Sequence, residues 1–220
     1  MMNDRKNIYV IDDAISYDDY VPIDLSVDNT ELAKVRLDDP EAFGSFIENY
    51  LKQRSAKAAF GGYNEIRDLY RTSSIFKEVE IAERDVHIGI DIWTHAGTSV
   101  LAAFDGIVHS FANNTGKGNY GPTIILQHHN DNEVMHTLYG HLSVDSIADI
   151  QIGDAVRQGN KIGELGDASV NGGYPPHLHF QLIRDVEGNS GDYPGVCSRG
   201  KLDFYLQNCP DPNTILKIRQ

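Results

Sequence analysis

His177-Leu178-His179-Phe180-Gln181-Leu182 alternates polar and apolar residues without error over six positions. A period of two belongs to an extended strand, with His177, His179 and Gln181 on one side and Leu178, Phe180 and Leu182 on the other. The apolar side demands a core. The other side brings two imidazoles to one patch, where one can bind a metal while its neighbour touches substrate. Shorter β-branched runs punctuated by Gly, Asn and Asp follow one another from Val79 onward, at 98–102, 106–111, 123–128 and 134–142. Two more, 152–156 and 161–166, flank a tight turn at Gly159-Asn160. Gly97, Gly106, Gly140 and Gly163 read as tight connections between strands.

These runs define a mainly β domain over 79–220, its last part a tail of coil and short helix. Residues 1–78 read as an N-terminal extension. Within it, Asp39-Pro40 offers an N-cap followed by a proline at the first helical position. Phe43, Phe46, Ile47, Tyr50 and Leu51 recur at helical spacing, so a helix is expected near 40–55. The first 38 residues carry strand-like pieces such as Ile8-Tyr9-Val10-Ile11 but no sustained period.

Charge and cysteine usage narrow the function. A formal net charge of -13 without clustered Lys or Arg argues against nucleic acid as a partner. No apolar run approaches the roughly 20 residues of a membrane span, so no membrane insertion is expected. The N-terminus lacks the apolar core of a signal peptide, which makes the cytoplasm the expected location. Cys197 and Cys209 cannot form a disulfide framework or a four-cysteine zinc site, and read as two buried or free thiols.

Three segments carry the chemistry. In His87-Ile88-Gly89-Ile90-Asp91 the β-branched Ile88, Ile90 and Ile92 favour an extended segment, with His87 and Asp91 facing away from them. Two histidines and a carboxylate that leave a fourth position open are the zinc ligand set of a hydrolase, and His87, Asp91 and His179 supply such a set. Manganese or iron would accept the same donors. Tyr139-Gly140-His141-Leu142 ends the run at 135–142, with Tyr139 and His141 on one face, which would seat His141 beside the metal. Tyr139 and Gln181 are expected to orient a ligand or a histidine, and Asn119 and Tyr120 to line a groove. His95, His109, His128, His129 and His136 are expected on exposed loops or strand faces with no catalytic role.

Taken together and in order, His87-x-Gly89-x-Asp91, Gly97-Thr98-x-Val100-x-Ala102, Asp105-Gly106-x-Val108, Tyr139-Gly140-His141-Leu142 and His177-Leu178-His179-Phe180 resemble the lysostaphin-type, LytM-like zinc metallopeptidases. The resemblance covers approximately 80–185. It implies a compact antiparallel β-sheet or sandwich-like domain crossed by a groove. It also implies one zinc ion per chain on His87, Asp91 and His179, with His141 and His177 assisting the reaction, and a peptide of the peptidoglycan type as substrate. A non-catalytic zinc-binding module of the same fold is the alternative. The sequence departs from the family in Gly172-Gly173-Tyr174-Pro175-Pro176, where a Ser-Thr-Gly-like approach is usual, and in Gln181, where Glu is usual.

Overall fold

A computed structural model describes residues 7–68, 84–130 and 133–219. Its thirteen strands are β1 (Tyr20–Pro22), β2 (Ala58–Gly61), β3 (Glu65–Ile66), β4 (Arg84–His87), β5 (Ile90–Trp93), β6 (Ser99–Leu101), β7 (Gly106–Asn114), β8 (Gly121–Asn130), β9 (Glu133–Gly140), β10 (Ala155–Val156), β11 (Lys161–Glu164), β12 (His177–Ile183) and β13 (Val196–Ser198). The helices are α1 (Pro40–Gln53), α2 (Leu202–Asn208) and α3 (Asn213–Leu216). Eight strands form one sheet in the order β1-β2-β5-β12-β9-β8-β7-β10, antiparallel except for the parallel pair β1 and β2. Two small sheets, β11-β6 and β13-β4-β3, complete the strands.

β12 lies in the middle of the large sheet, and all seven of its residues are buried. Leu178, Phe180 and Leu182 enter the main core with Ile90, Ile92, Ile124 and Leu126, capped by Val100 of β6. Each such side chain contributes about 1.5–3 kcal/mol on burial. The opposite face carries Ile183 into a second core with Ile125, Leu138, Val86 of β4 and Cys197 of β13. A strand clamped on both faces has its register fixed, because a slip of one residue would send leucines to the histidine side.

The expected helix is present as α1. The Asp39 side chain accepts from the backbone N–H of Glu41 and Ala42, and Phe43, Ile47 and Leu51 turn inward. Phe43 meets Trp93 of β5 with ring centroids 5.2 Å apart. The expected boundary at 78/79 falls outside the described residues. The chain before it is part of the same packing unit: β2 pairs with β5, and Val10, Ile11, Tyr20 and Phe60 lie in the main core. Both termini of the described chain share that core, because Leu216 and Ile218 pack there as well.

Three sequence expectations are corrected or refined. Residues 87–92 do not run as one extended segment; the chain breaks at Ile88-Gly89, and β4 and β5 join different sheets. The runs at 152–156 and 161–166, although joined by a turn, belong to different sheets, β10 adding to β7 and β11 to β6. His128 and His136 are buried rather than exposed, His128 being held by Asp105 O and Thr137 Oγ1 at 2.9 and 2.7 Å.

Candidate metal centre

The register of β5 against β12 places Asp91 directly opposite His179 and Trp93 opposite His177. Paired residues project to the same face of a sheet, so the carboxylate and the imidazole meet there. His87 arrives from the end of β4, across the break at Ile88-Gly89. That break needs a residue without a side chain: a Cβ on Gly89 would stand 2.5 Å from His179 Cε1.

His87, Asp91 and His179 are each 2% exposed. His87 Nε2 lies 2.9 Å from His179 Nδ1, His179 Nδ1 lies 3.1 Å from Asp91 Oδ1, and His87 Nε2 lies 3.3 Å from Asp91 Oδ1. Ligand atoms about 2.0–2.1 Å from a zinc ion at tetrahedral angles stand roughly 3.3 Å from one another. The triangle therefore has the dimensions of a small metal site.

The surrounding hydrogen bonds assign the protons. The carbonyl of Gly62 can only accept, so His87 Nδ1–H donates to it at 2.9 Å and leaves Nε2 with its lone pair. The amide nitrogen of Gln181 donates to Pro194 O and Cys209 Sγ, both at 3.2 Å, which leaves its oxygen to accept from His179 Nε2–H at 3.0 Å. His179 Nδ1 thus also presents a lone pair. Two imidazole lone pairs and a carboxylate oxygen face one another, none bringing a proton, which is the donor set of a divalent cation. Among the described residues this is the one cluster of three such ligands.

His141 and His177 complete the site. Their Nδ1 atoms donate to Asn171 O and Pro175 O, each at 2.8 Å, leaving both Nε2 atoms as acceptors. His177 Nε2 points toward the cluster, 4.0 Å from Asp91 Oδ1. The His177 ring stacks on Trp93 at 4.0 Å and lies 4.1 Å from His141. His141 follows the end of β9 with φ 64°, a left-handed conformation uncommon outside glycine. Burial lowers His87 and His177 to about 4 and pushes His141 well below the usual histidine range. These rings are neutral near pH 7. Burial alone would raise Asp91, but neighbouring positive charge, which beside neutral imidazoles is that of the Arg67 guanidinium, holds the carboxyl well below its ordinary value.

The five expected residues, His87, Asp91, His141, His177 and His179, are thus brought together around one cavity. Asn119 and Tyr120 line it as well, with Tyr174 and Pro194. Tyr139 does not: it is fully buried in the main core, and its hydroxyl accepts from Ala103 N at 2.8 Å. The left-handed turn at residue 141 puts His141 at the cavity without its strand neighbour. Gln181 is likewise behind the site and orients His179. Sequence reading missed Gly62, whose carbonyl orients His87, and Arg67, whose Nη1 reaches Asp91 Oδ2 at 2.6 Å. Both lie in the presumed extension, outside the segments whose pattern points to chemistry.

A buried cluster of two histidines and one carboxylate at a cavity in a β-rich domain is the arrangement of a metal-dependent hydrolase. Residues 85–192, just under half of the chain, match the model of Peptidase family M23, which marks this stretch as an M23 peptidase domain. The peptidoglycan DD-endopeptidase ShyC of Vibrio cholerae serotype O1 is 32% identical over 141 residues, covering 61% of this chain and 30% of that protein. An uncharacterized metalloprotease of Haemophilus influenzae is 32% identical over 96 residues, covering 44% of this chain and 18% of its own length. The chain therefore spans less than a third of either relative. The catalytic domain of the antimicrobial peptidase lysostaphin from Staphylococcus simulans aligns with 24% identity and a TM-score of 0.39, over 74% of this chain and 96% of that one.

Two outcomes follow from this geometry. Gly89→Ala drives a methyl group into the His179 ring and is expected to weaken binding of a divalent probe ion by about tenfold or more in a calorimetric titration. Gly44→Ala, with nothing within 4 Å of the added carbon, leaves it unchanged. Second, histidines of the unfolded chain titrate near about 6.5, whereas His87 and His177 in the fold titrate at about 4. As pH falls through that window the unfolded chain takes up protons first, so metal-free protein loses stability from about pH 6.5 downward. Urea midpoints at pH 7 and pH 5.5 check this; equal midpoints would contradict it.

Proposed function

We propose that this protein is a zinc-dependent metalloendopeptidase that hydrolyses peptide bonds in peptides of the peptidoglycan type. The observation that carries the metal is the convergence of two imidazole lone pairs and Asp91 Oδ1 within 3.3 Å, with the competing protons tied to Gly62 O and Gln181 Oε1. Two nitrogen donors, one oxygen donor and the short edges of the triangle support zinc as the ion. The name of the Vibrio relative supports the substrate class.

When bound, zinc would act as a Lewis acid at the scissile carbonyl and would acidify water beside it. The protein's own share is proton handling. His141 and His177 arrive neutral, oriented by backbone carbonyls at Nδ1, with Nε2 available to accept a proton from the attacking water and to return it to the leaving amine. Trp93 keeps the His177 ring in plane, and Asn171 and Pro175 keep both rings from turning. A metal-binding module without catalysis is the second reading, favoured by the burial of His141 and His177, 5% and 3% exposed.

Elemental mass spectrometry of the purified protein is expected to give about one zinc per chain. His87→Ala and His179→Ala lose it. His141→Ala and His177→Ala keep it and lose cleavage of muropeptide-derived and glycine-rich substrates by about 10²-fold or more. Zinc-loaded wild type that cleaves none of these supports the module reading, and folded wild type without zinc removes both.

A further inference from the structure

Arg67 is 1% exposed and lies outside the stretch that matches the M23 family. Its Nη1 donates to Asp91 Oδ2 at 2.6 Å and its Nε donates to Glu65 Oε2. Glu65 is anchored in turn, since its Oε1 accepts from Leu25 N at 3.1 Å. The guanidinium is thus fixed between two carboxylates by a planar fork, which a lysine cannot reproduce. Gly62, five residues earlier, makes room for it: a Cβ there would stand 2.0 Å from Arg67 Nη2.

The consequence concerns which oxygen of Asp91 is offered. Oδ1 faces His87 and His179, while Oδ2 is taken by Arg67. A carboxylate with both oxygens available can bind through two, as larger hard cations such as calcium often require, whereas tetrahedral zinc takes a single donor atom from each ligand. We infer that Arg67 is a positioning residue that confines Asp91 to one-oxygen ligation and so sets the preference of the site for zinc over ions of higher coordination number. This rests on the metal reading of His87, Asp91 and His179.

Removing a buried cation also changes the local charge, but that change acts on every divalent ion alike and cancels in a ratio of affinities. The ratio is therefore the quantity to measure. In the full-length chain, Zn²⁺ and Mn²⁺ dissociation constants are determined by chelator competition for wild type, Arg67→Met and Arg67→Lys. The visible absorption of each Co²⁺-loaded protein reports coordination number independently of activity. Arg67→Met is expected to lower the zinc-over-manganese preference by about tenfold or more, the lower end of effects from groups that orient ligands, and to weaken the intense four-coordinate cobalt bands. Arg67→Lys, which keeps the charge and the buried stem, is expected to move both readouts in the same direction by a smaller amount. It decides the matter if the methionine variant does not fold. A folded variant with unchanged ratio and unchanged cobalt spectrum overturns the role of Arg67 and leaves the metal reading standing. Wild type that takes up none of the three ions overturns both.

Discussion

Three acceptor atoms that would repel one another in an empty pocket are held face to face by the pairing of β5 with β12. Asp91 and His179 are direct neighbours across that pair, and His87 closes the triangle from β4. Each group has its spare proton or second oxygen tied elsewhere: His87 to Gly62, His179 to Gln181, and Asp91 to Arg67. Arg67 compensates the charge of Asp91, and a cation at the centre would satisfy the three facing acceptors, which otherwise are buried without a partner for their lone pairs. The two cores above and below β12 exist, in this sense, to hold one register.

The supporting shell reaches well beyond the strands that carry the ligands. Gln181 is aligned by Pro194 O and Cys209 Sγ, so the segment after β12 and the α2 terminus help orient His179. Pro194, Tyr120 and Tyr174 also line the cavity. On the other side, β2 and β3 bring Gly62 and Arg67 to His87 and Asp91. A short β-rich domain thus recruits both ends of the chain to make a rigid centre, the condition under which ligand geometry is pre-set rather than adjusted on binding.

Much of this was legible in the sequence where local period and chemistry agree. The alternation in 177–182 yielded a two-faced strand, and Asp39-Pro40 yielded a capped helix, because both are decided by neighbours in the chain. The segment 87–91 was only half legible: its histidine and aspartate were found, but the isoleucines on either side of Gly89 hid a change of sheet that only long-range pairing determines. Tyr139 and His141 alternate like partners on a strand, yet the positive φ at His141 separates them, and that conformation has no local sequence mark. Arg67 and Gly62 were invisible because their roles are set by residues 24 or more positions away.

The most direct test is X-ray absorption at the zinc edge of the zinc-loaded protein. The account predicts a first shell of nitrogen and oxygen only, at about 2.0–2.1 Å, with the multiple-scattering signature of two imidazoles, and no such signal in His179→Ala, which loses the ion. Sulfur scattering near about 2.3 Å would place the metal on a cysteine instead. That result, or an imidazole signal unaffected by the loss of His179, would contradict it.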